Sequence, residues 1–138
     1  MALAYYPKPG HILLCDFNGF KKPEMIKRRP VVVLVNRGDL CTVVPLSTTE
    51  PSPIEDYHYQ IPPQSLPDRG KFHSIKSVWL KGDMVYTLGH YRLQPILLGR
   101  TQGGRREYFK QRLGREQMKQ VYSCVLKGLN LSKLPAYL

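Results

Sequence analysis

Two groups of residues in this sequence combine charge and hydroxyl where apolar runs begin or end. The first is Arg29, directly before Pro30-Val31-Val32-Val33-Leu34-Val35, with Ser47 and Thr48, directly after Val43-Val44-Pro45-Leu46. The second is Lys81 and Asp83, separated only by Gly82. A guanidinium beside a hydroxyl can hold a phosphate through N–H and O–H bonds. A lysine and an aspartate two apart on extended backbone point the same way and can serve one pocket as proton donor and acceptor. The same pair also makes an ordinary surface ion pair in a turn, worth little energetically.

The elements that must position these groups are short. Gly10 opens HILLCDF, a first strand ending near Asp16-Phe17. Residues 18–28 form a long connection bearing Lys21, Lys22, Lys27 and Arg28, either a flap over a site or a solvated hairpin tip. Pro30 holds Arg29 extended, and Val31 to Val35 is a β-branched run suited to a strand buried on both faces. Asn36 to Asp39 turns the chain, and Leu40 to Leu46 returns with Pro45 near its end, where an edge or bulge is expected. If the two strands pair antiparallel, Arg29 and Ser47 are neighbours.

Residues 47–55 read as a Ser/Thr/Pro loop, 56–61 as a strand and 62–74 as a surface loop. Residues 77–80 and 84–88 are either a hairpin turning at Lys81-Gly82-Asp83 or one bent strand with a glycine bulge. Short apolar pieces follow at 92–93 and 96–98, then a basic glycine-rich turn over 99–106 and a short strand at 107–109. One helix is expected, over 115–129. Met118, Val121, Tyr122, Val125 and Leu129 make its apolar stripe, Glu116 lies at the positive start and Lys127 at the end. Short strands, dense turns and a terminal amphipathic helix imply a mainly β chain: one domain over 1–138, a compact β-barrel with a helical cap.

The chain carries 21 Lys and Arg against 10 Asp and Glu, a formal charge of +11, which points to a polyanionic partner. Nine tyrosines, four phenylalanines and one tryptophan add stacking capacity, although Trp79 and Phe17 read as core; Tyr5, Tyr6, Tyr86 and Tyr91 stay open. Cys15, Cys41 and Cys124 have neither zinc nor disulfide spacing, and none of His11, His58, His73 and His90 has metal-ligand spacing. His58 reads as structural, while His90 is a weak candidate for proton transfer. No secretory signal or membrane-spanning run is present, so a cytoplasmic protein without membrane attachment is expected.

Taken in order, GHILLCDF, Glu24 before KRRPVVVLV, TVVPLSTT, WLKGDMVYTL and the terminal helix resemble the MazF/PemK (Kid) toxins of bacterial toxin–antitoxin modules, colinearly from about residue 9 to 130. PEM before KRRP resembles the PemK-like branch. The resemblance implies an SH3-like barrel with a C-terminal helix, and a homodimer. It implies an endoribonuclease that cuts single-stranded mRNA without metal or cofactor, and an acidic antitoxin that covers the site.

By position, the resemblance makes Arg29 the active-site arginine and puts Ser47 where many members have a catalytic threonine. It makes Asp83 the general base and Lys81 the acid, and Asp83 serving only to orient Arg29 is the alternative. Ser47 keeps the hydroxyl but lacks the methyl that fixes a threonine rotamer, and Thr48 competes with it. Lys21, Lys27, Arg28, Thr48 and Tyr86 are the expected RNA contacts; Asp16 and Glu24 are expected to order the loop. The family shares its barrel with a gyrase-poisoning toxin, so a non-enzymatic barrel that binds nucleic acid or protein, or a catalytically decayed toxin, is the competing class. The gyrase poisons carry a tryptophan near the C-terminus, whereas this chain ends LPAYL and has Trp79 alone.

Overall fold

The computed structural model describes residues 3, 6–67 and 77–133. Beyond Pro67, the loop expected over 62–74, with His73, lies outside the described residues, as does Tyr5. Strands β1 (Ile12–Cys15), β2 (Arg29–Arg37), β3 (Leu40–Ser47), β4 (His58–Gln60), β5 (Trp79–Lys81), β6 (Tyr86–Gly89) and β7 (Leu93–Gln94) form one antiparallel sheet ordered β4-β5-β3-β2-β1-β7, with β6 also on β3. β8 (Leu97–Arg100) and β9 (Arg106–Tyr108) form a separate hairpin, and α1 (Arg115–Gly128) is the last element of the described residues. Its outer strands β4 and β7 do not pair with one another, so the expected barrel is an open one.

Register decides the question left open at Lys81-Gly82-Asp83. β5 and β6 do not pair with each other; both run antiparallel to β3, β5 at Leu46 and Ser47 and β6 at Leu40 to Val43. They are therefore one bent strand interrupted over residues 82–85. Met84 N–H donates to Lys81 O at 3.0 Å across the interruption. Glycine is required there: a Cβ on Gly82 would lie 2.5 Å from Tyr57 O and 2.7 Å from Cys124 O. A Cβ on Gly128 would in turn meet Gly82 O at 2.5 Å, so the turn and the helix end dock through two glycines.

The β-branched strands β2 and β3 are buried on both faces and separate two cores. On one face Ile12, Val32, Val44, Leu46 and Leu80 pack against Met118, Val121, Cys124 and Val125 of α1. On the other, Leu13, Val31, Val33, Cys41, Val43 and Leu88 pack against Phe17, Phe20 and Met25 of the long connection. The helix presents a different stripe from the one its sequence suggests. Tyr122 and Leu129 are exposed and Cys124 is buried in their place, because the glycine contact at the helix end sets the rotation of α1 on the sheet.

Candidate phosphate-binding site

Alternation along β2 and β3 puts Arg29 and Ser47 on the face of Val31, Val33, Cys41 and Val43. Carrying the β2–β3 register two residues past Val31↔Pro45 places Arg29 opposite Ser47, with Cα atoms about 5 Å apart. On its other side Ser47 pairs with Trp79, and Trp79 with Gln60. Four strands thus contribute one row: Arg29, Ser47, Trp79, Gln60. Lys81 lies two residues beyond Trp79 on the same face, a diagonal neighbour of Ser47 at about 7–8 Å. The register therefore brings the two groups singled out in the sequence to one end of one sheet face. Asp83 sits farther out, exposed in the turn.

Donors in this row are left without protein partners. Arg29 Nε and Trp79 Nε1 are both buried and make no hydrogen bond. A buried donor left unsatisfied costs about 1–3 kcal/mol; Asn36 Nδ2, farther along β2, is a third such atom. The sequence places Trp79 in the core, and at 7% exposed it lies there; the unpaired indole N–H shows only in the structure.

Ser47 and Thr48 differ in placement. Ser47 is in the ladder, and its Oγ accepts the Thr49 N–H at 3.1 Å. That bond supplies the rotamer constraint that the missing methyl does not. Thr48 lies past the strand end and is exposed. Among the described residues Asp83 makes no ion pair with Lys81 or Arg29, so neither the bland turn salt bridge nor a direct orienting contact is formed. Both charges instead act on His58, which pairs in register with Lys81. Burial and then Lys81 lower the His58 pKa, while Asp83 and Glu55 oppose the shift. His58 Nδ1 accepts the Glu55 N–H at 2.9 Å, which assigns the ring proton of the neutral form to Nε2. Sequence reading treated His58 as structural; its only available signal was the Tyr57-His58-Tyr59 alternation, which does not reveal a strand partner.

The connection over 18–28 is anchored from beneath and polar above. Phe20 and Tyr86 stack edge-on at 5.5 Å, Phe17 and Tyr86 lie 5.0 Å apart, and Arg92 covers Phe20 at 4.8 Å. Tyr86 OH accepts the Met25 N–H at 2.9 Å, so the tyrosine expected to contact RNA fastens the loop. Asp16 Oδ1 accepts the Asn18 N–H and Asp16 pairs with Arg28 at 3.8 Å; Glu24 Oε1 accepts the Lys21 N–H. Lys21, Lys27 and Arg28 stand exposed on this platform, on the face of Arg29. His90 lies elsewhere, bonded through Nε2 to Asn36. Cys15 is pushed up to about 12 and Cys41 to about 11 by burial, which makes them unreactive core thiols. No group of His, Cys, Asp and Glu among the described residues could hold a metal ion.

The sequence model of the PemK-like, MazF-like toxins of type II toxin–antitoxin systems matches residues 8–129. The chain belongs to that family. Among curated proteins it is 32% identical to the uncharacterized protein YifN of Escherichia coli K12, with 97% of this chain and 99% of that one covered. It is 29% identical to an uncharacterized Haemophilus influenzae protein, with 93% of each covered. MazF from Deinococcus radiodurans has a similar fold at TM-score 0.60, with 17% identity over 91% of this chain and 98% of that one. The Mycobacterium tuberculosis toxin MazF-mt6 does so at TM-score 0.55, with 16% identity over 90% and 98%. The toxin–antitoxin family to which this chain belongs implies an antitoxin partner. No helix among the described residues is long and apolar enough to cross a membrane.

Proposed function

We propose that this PemK-like toxin is an endoribonuclease that cuts single-stranded RNA, with Arg29 at the reacting phosphate. The observation that carries the reading is the buried Arg29 Nε without a partner, opposite the Ser47 hydroxyl and two strands from the equally unpaired Trp79 Nε1. An anionic oxygen from outside satisfies these donors. The Arg29 guanidinium donates two parallel N–H bonds to such a phosphate.

RNA supplies its own nucleophile. The 2′-oxygen attacks the adjacent phosphorus, the bond to the 5′-oxygen breaks, and the products are a 2′,3′-cyclic phosphate and a 5′-hydroxyl. One proton leaves the 2′-hydroxyl and one is given to the 5′-oxygen. Arg29 stabilises the extra negative charge and Ser47 donates to a non-bridging oxygen. Asp83 takes the first proton and Lys81 gives the second. Lysine is more readily tuned than arginine for that step. Lys21, Lys27 and Arg28 guide the strand across the loop, and Thr48 extends the hydroxyl rim. The protein works as a homodimer, and an acidic antitoxin neutralises it by covering this basic face.

The test is incubation with end-labelled single-stranded RNA and its DNA analogue in chelator. Cut RNA with a cyclic-phosphate end and intact DNA support the reading. Failure to cut any site in a long mixed-sequence RNA overturns it.

A further inference from the structure

The β8–β9 hairpin is basic, exposed and unused by the site above. Between residues 100 and 115 the chain carries Arg100, Arg105, Arg106, Lys110, Arg112 and Arg115, all exposed, against Glu107 as the one carboxylate. The stem is tied to the helix-side core through Phe109 and Leu98, so the hairpin stands on the opposite sheet face from Arg29. It leaves the sheet just after β7, whose Gln94 pairs with Leu14 of β1. Its root is therefore about 10 Å, two interstrand spacings, from β2.

Its geometry is ordered, and it breaks a local rule. The tip is closed by Thr101 N–H to Arg105 O at 2.8 Å, Gly104 N–H to Thr101 O at 3.0 Å, Arg105 N–H to Thr101 Oγ1 at 3.2 Å and Arg100 Nη1 to Gly104 O at 2.9 Å. Gly104, at φ 81°, takes the left-handed position that closure requires. In that frame Arg100 and Arg106 are directly opposite across the strands. Like charges so placed destabilise a two-stranded sheet, and among the described residues no carboxylate pairs with either. A local rule broken in a well-bonded element is expected at functional positions. The tip, residues 100–106, contains no apolar side chain. Protein interfaces depend on buried aromatic or aliphatic anchors, so a phosphate backbone fits the tip better than an acidic protein does.

We propose that the β8–β9 hairpin is a second RNA-binding arm, in which Arg100, Arg105 and Arg106 grip the phosphates of the single strand outside the cleavage site. The inference rests on the RNA reading above for its ligand but not on cleavage. The test is fluorescence anisotropy with a labelled, non-cleavable 2′-O-methyl oligouridine over a salt series. The variants are Arg100→Gln/Arg105→Gln/Arg106→Gln and, should that triple variant unfold, Arg105→Gln/Arg106→Gln, which keeps the Arg100–Gly104 bond. Lys119→Gln/Lys127→Gln removes charge from the helix as a control.

The hairpin triple variant is expected to bind at least about tenfold more weakly, with its log–log salt slope reduced by about 2, roughly 0.7 per lost phosphate contact. Unchanged affinity and slope overturn the proposal, as does an equal loss per charge in the helix control, which would reduce the effect to net charge. Intact RNA binding with lost binding of a polyglutamate peptide also overturns it, in favour of an acidic protein. A wild-type chain that binds the oligonucleotide through the hairpin but cuts no RNA would overturn only the nuclease reading.

Discussion

The two faces of the β2–β3 pair are built from the same run of β-branched residues, yet they end differently. One is sealed by α1, with buried side chains continuing from Ile12 to Leu80 under the helix. The other is covered by Phe17, Phe20 and Met25, and the strand ends at its rim carry Arg29, Ser47 and Lys81. A helix covers a sheet face along its length, whereas a loop anchored by three side chains covers only what they reach. That rim keeps buried donors, Arg29 Nε and Trp79 Nε1, without hydrogen-bond partners. Stability is concentrated on the helix face and the candidate chemistry on the loop face.

That contrast can be broken most directly at Arg29. Arg29→Ala is expected to lower RNA cleavage on the order of a hundred- to a thousand-fold, the loss found when a charge-stabilising donor is removed, with the thermal midpoint little changed. Full activity would remove the loop face from the chemistry. Gly82→Ala tests the opposite limit, because its Cβ would strike Tyr57 O and Cys124 O, both backbone. We expect a loss of about 2–4 kcal/mol in denaturant unfolding, from overpacking and backbone displacement. A near-neutral result would show that the turn is not docked on α1.

A paired comparison sharpens the asymmetry. Ile12→Ala, on the helix face, is expected to cost about 2–5 kcal/mol as a fully buried aliphatic. Phe20→Ala, half-buried in the loop, should cost about 1–2 kcal/mol but lower cleavage by a larger factor than Ile12→Ala, since it releases the platform of Lys21, Lys27 and Arg28. Equal effects on stability and activity from both changes would erase the distinction.

Acid titration should be gentler. Burial, then Arg112 and Lys8, lower the pKa of His11, and burial with Lys81 lowers that of His58. The unfolded chain binds these protons first, so stability is full above about pH 6.5 and falls as pH drops through the folded values. His11→Gln should flatten the fall measured by thermal melts between neutral and acid pH. The smallest signal is chemical: iodoacetamide at neutral pH should leave Cys15 and Cys41 unlabelled in the native protein and label them after unfolding.

Much of the framework was legible in the chain. Period, turn residues and Pro30 place β1, β2 and β3, and the i, i+3, i+4 pattern places α1 to within a residue. Which hydroxyl Arg29 faces was not legible: the turn register Arg37↔Leu40, carried unbroken, sets Arg29 opposite Thr48, and the shift between Val33 and Val35 moves it to Ser47. The covalent order of residues by itself determined the placement of these elements, together with the +11 charge and the family to which the chain belongs. Other facts depend on which strands meet across the sheet. The pairing of both β5 and β6 with β3 brings Lys81 near Ser47, and the packing around Trp79 leaves its buried indole N–H without a partner. Cys124 rather than Tyr122 faces the core because Gly82 and Gly128 fix the helix rotation. Sequence order constrains neighbours a few residues apart, whereas hydrogen-bond satisfaction and close packing are settled only between segments that folding brings together.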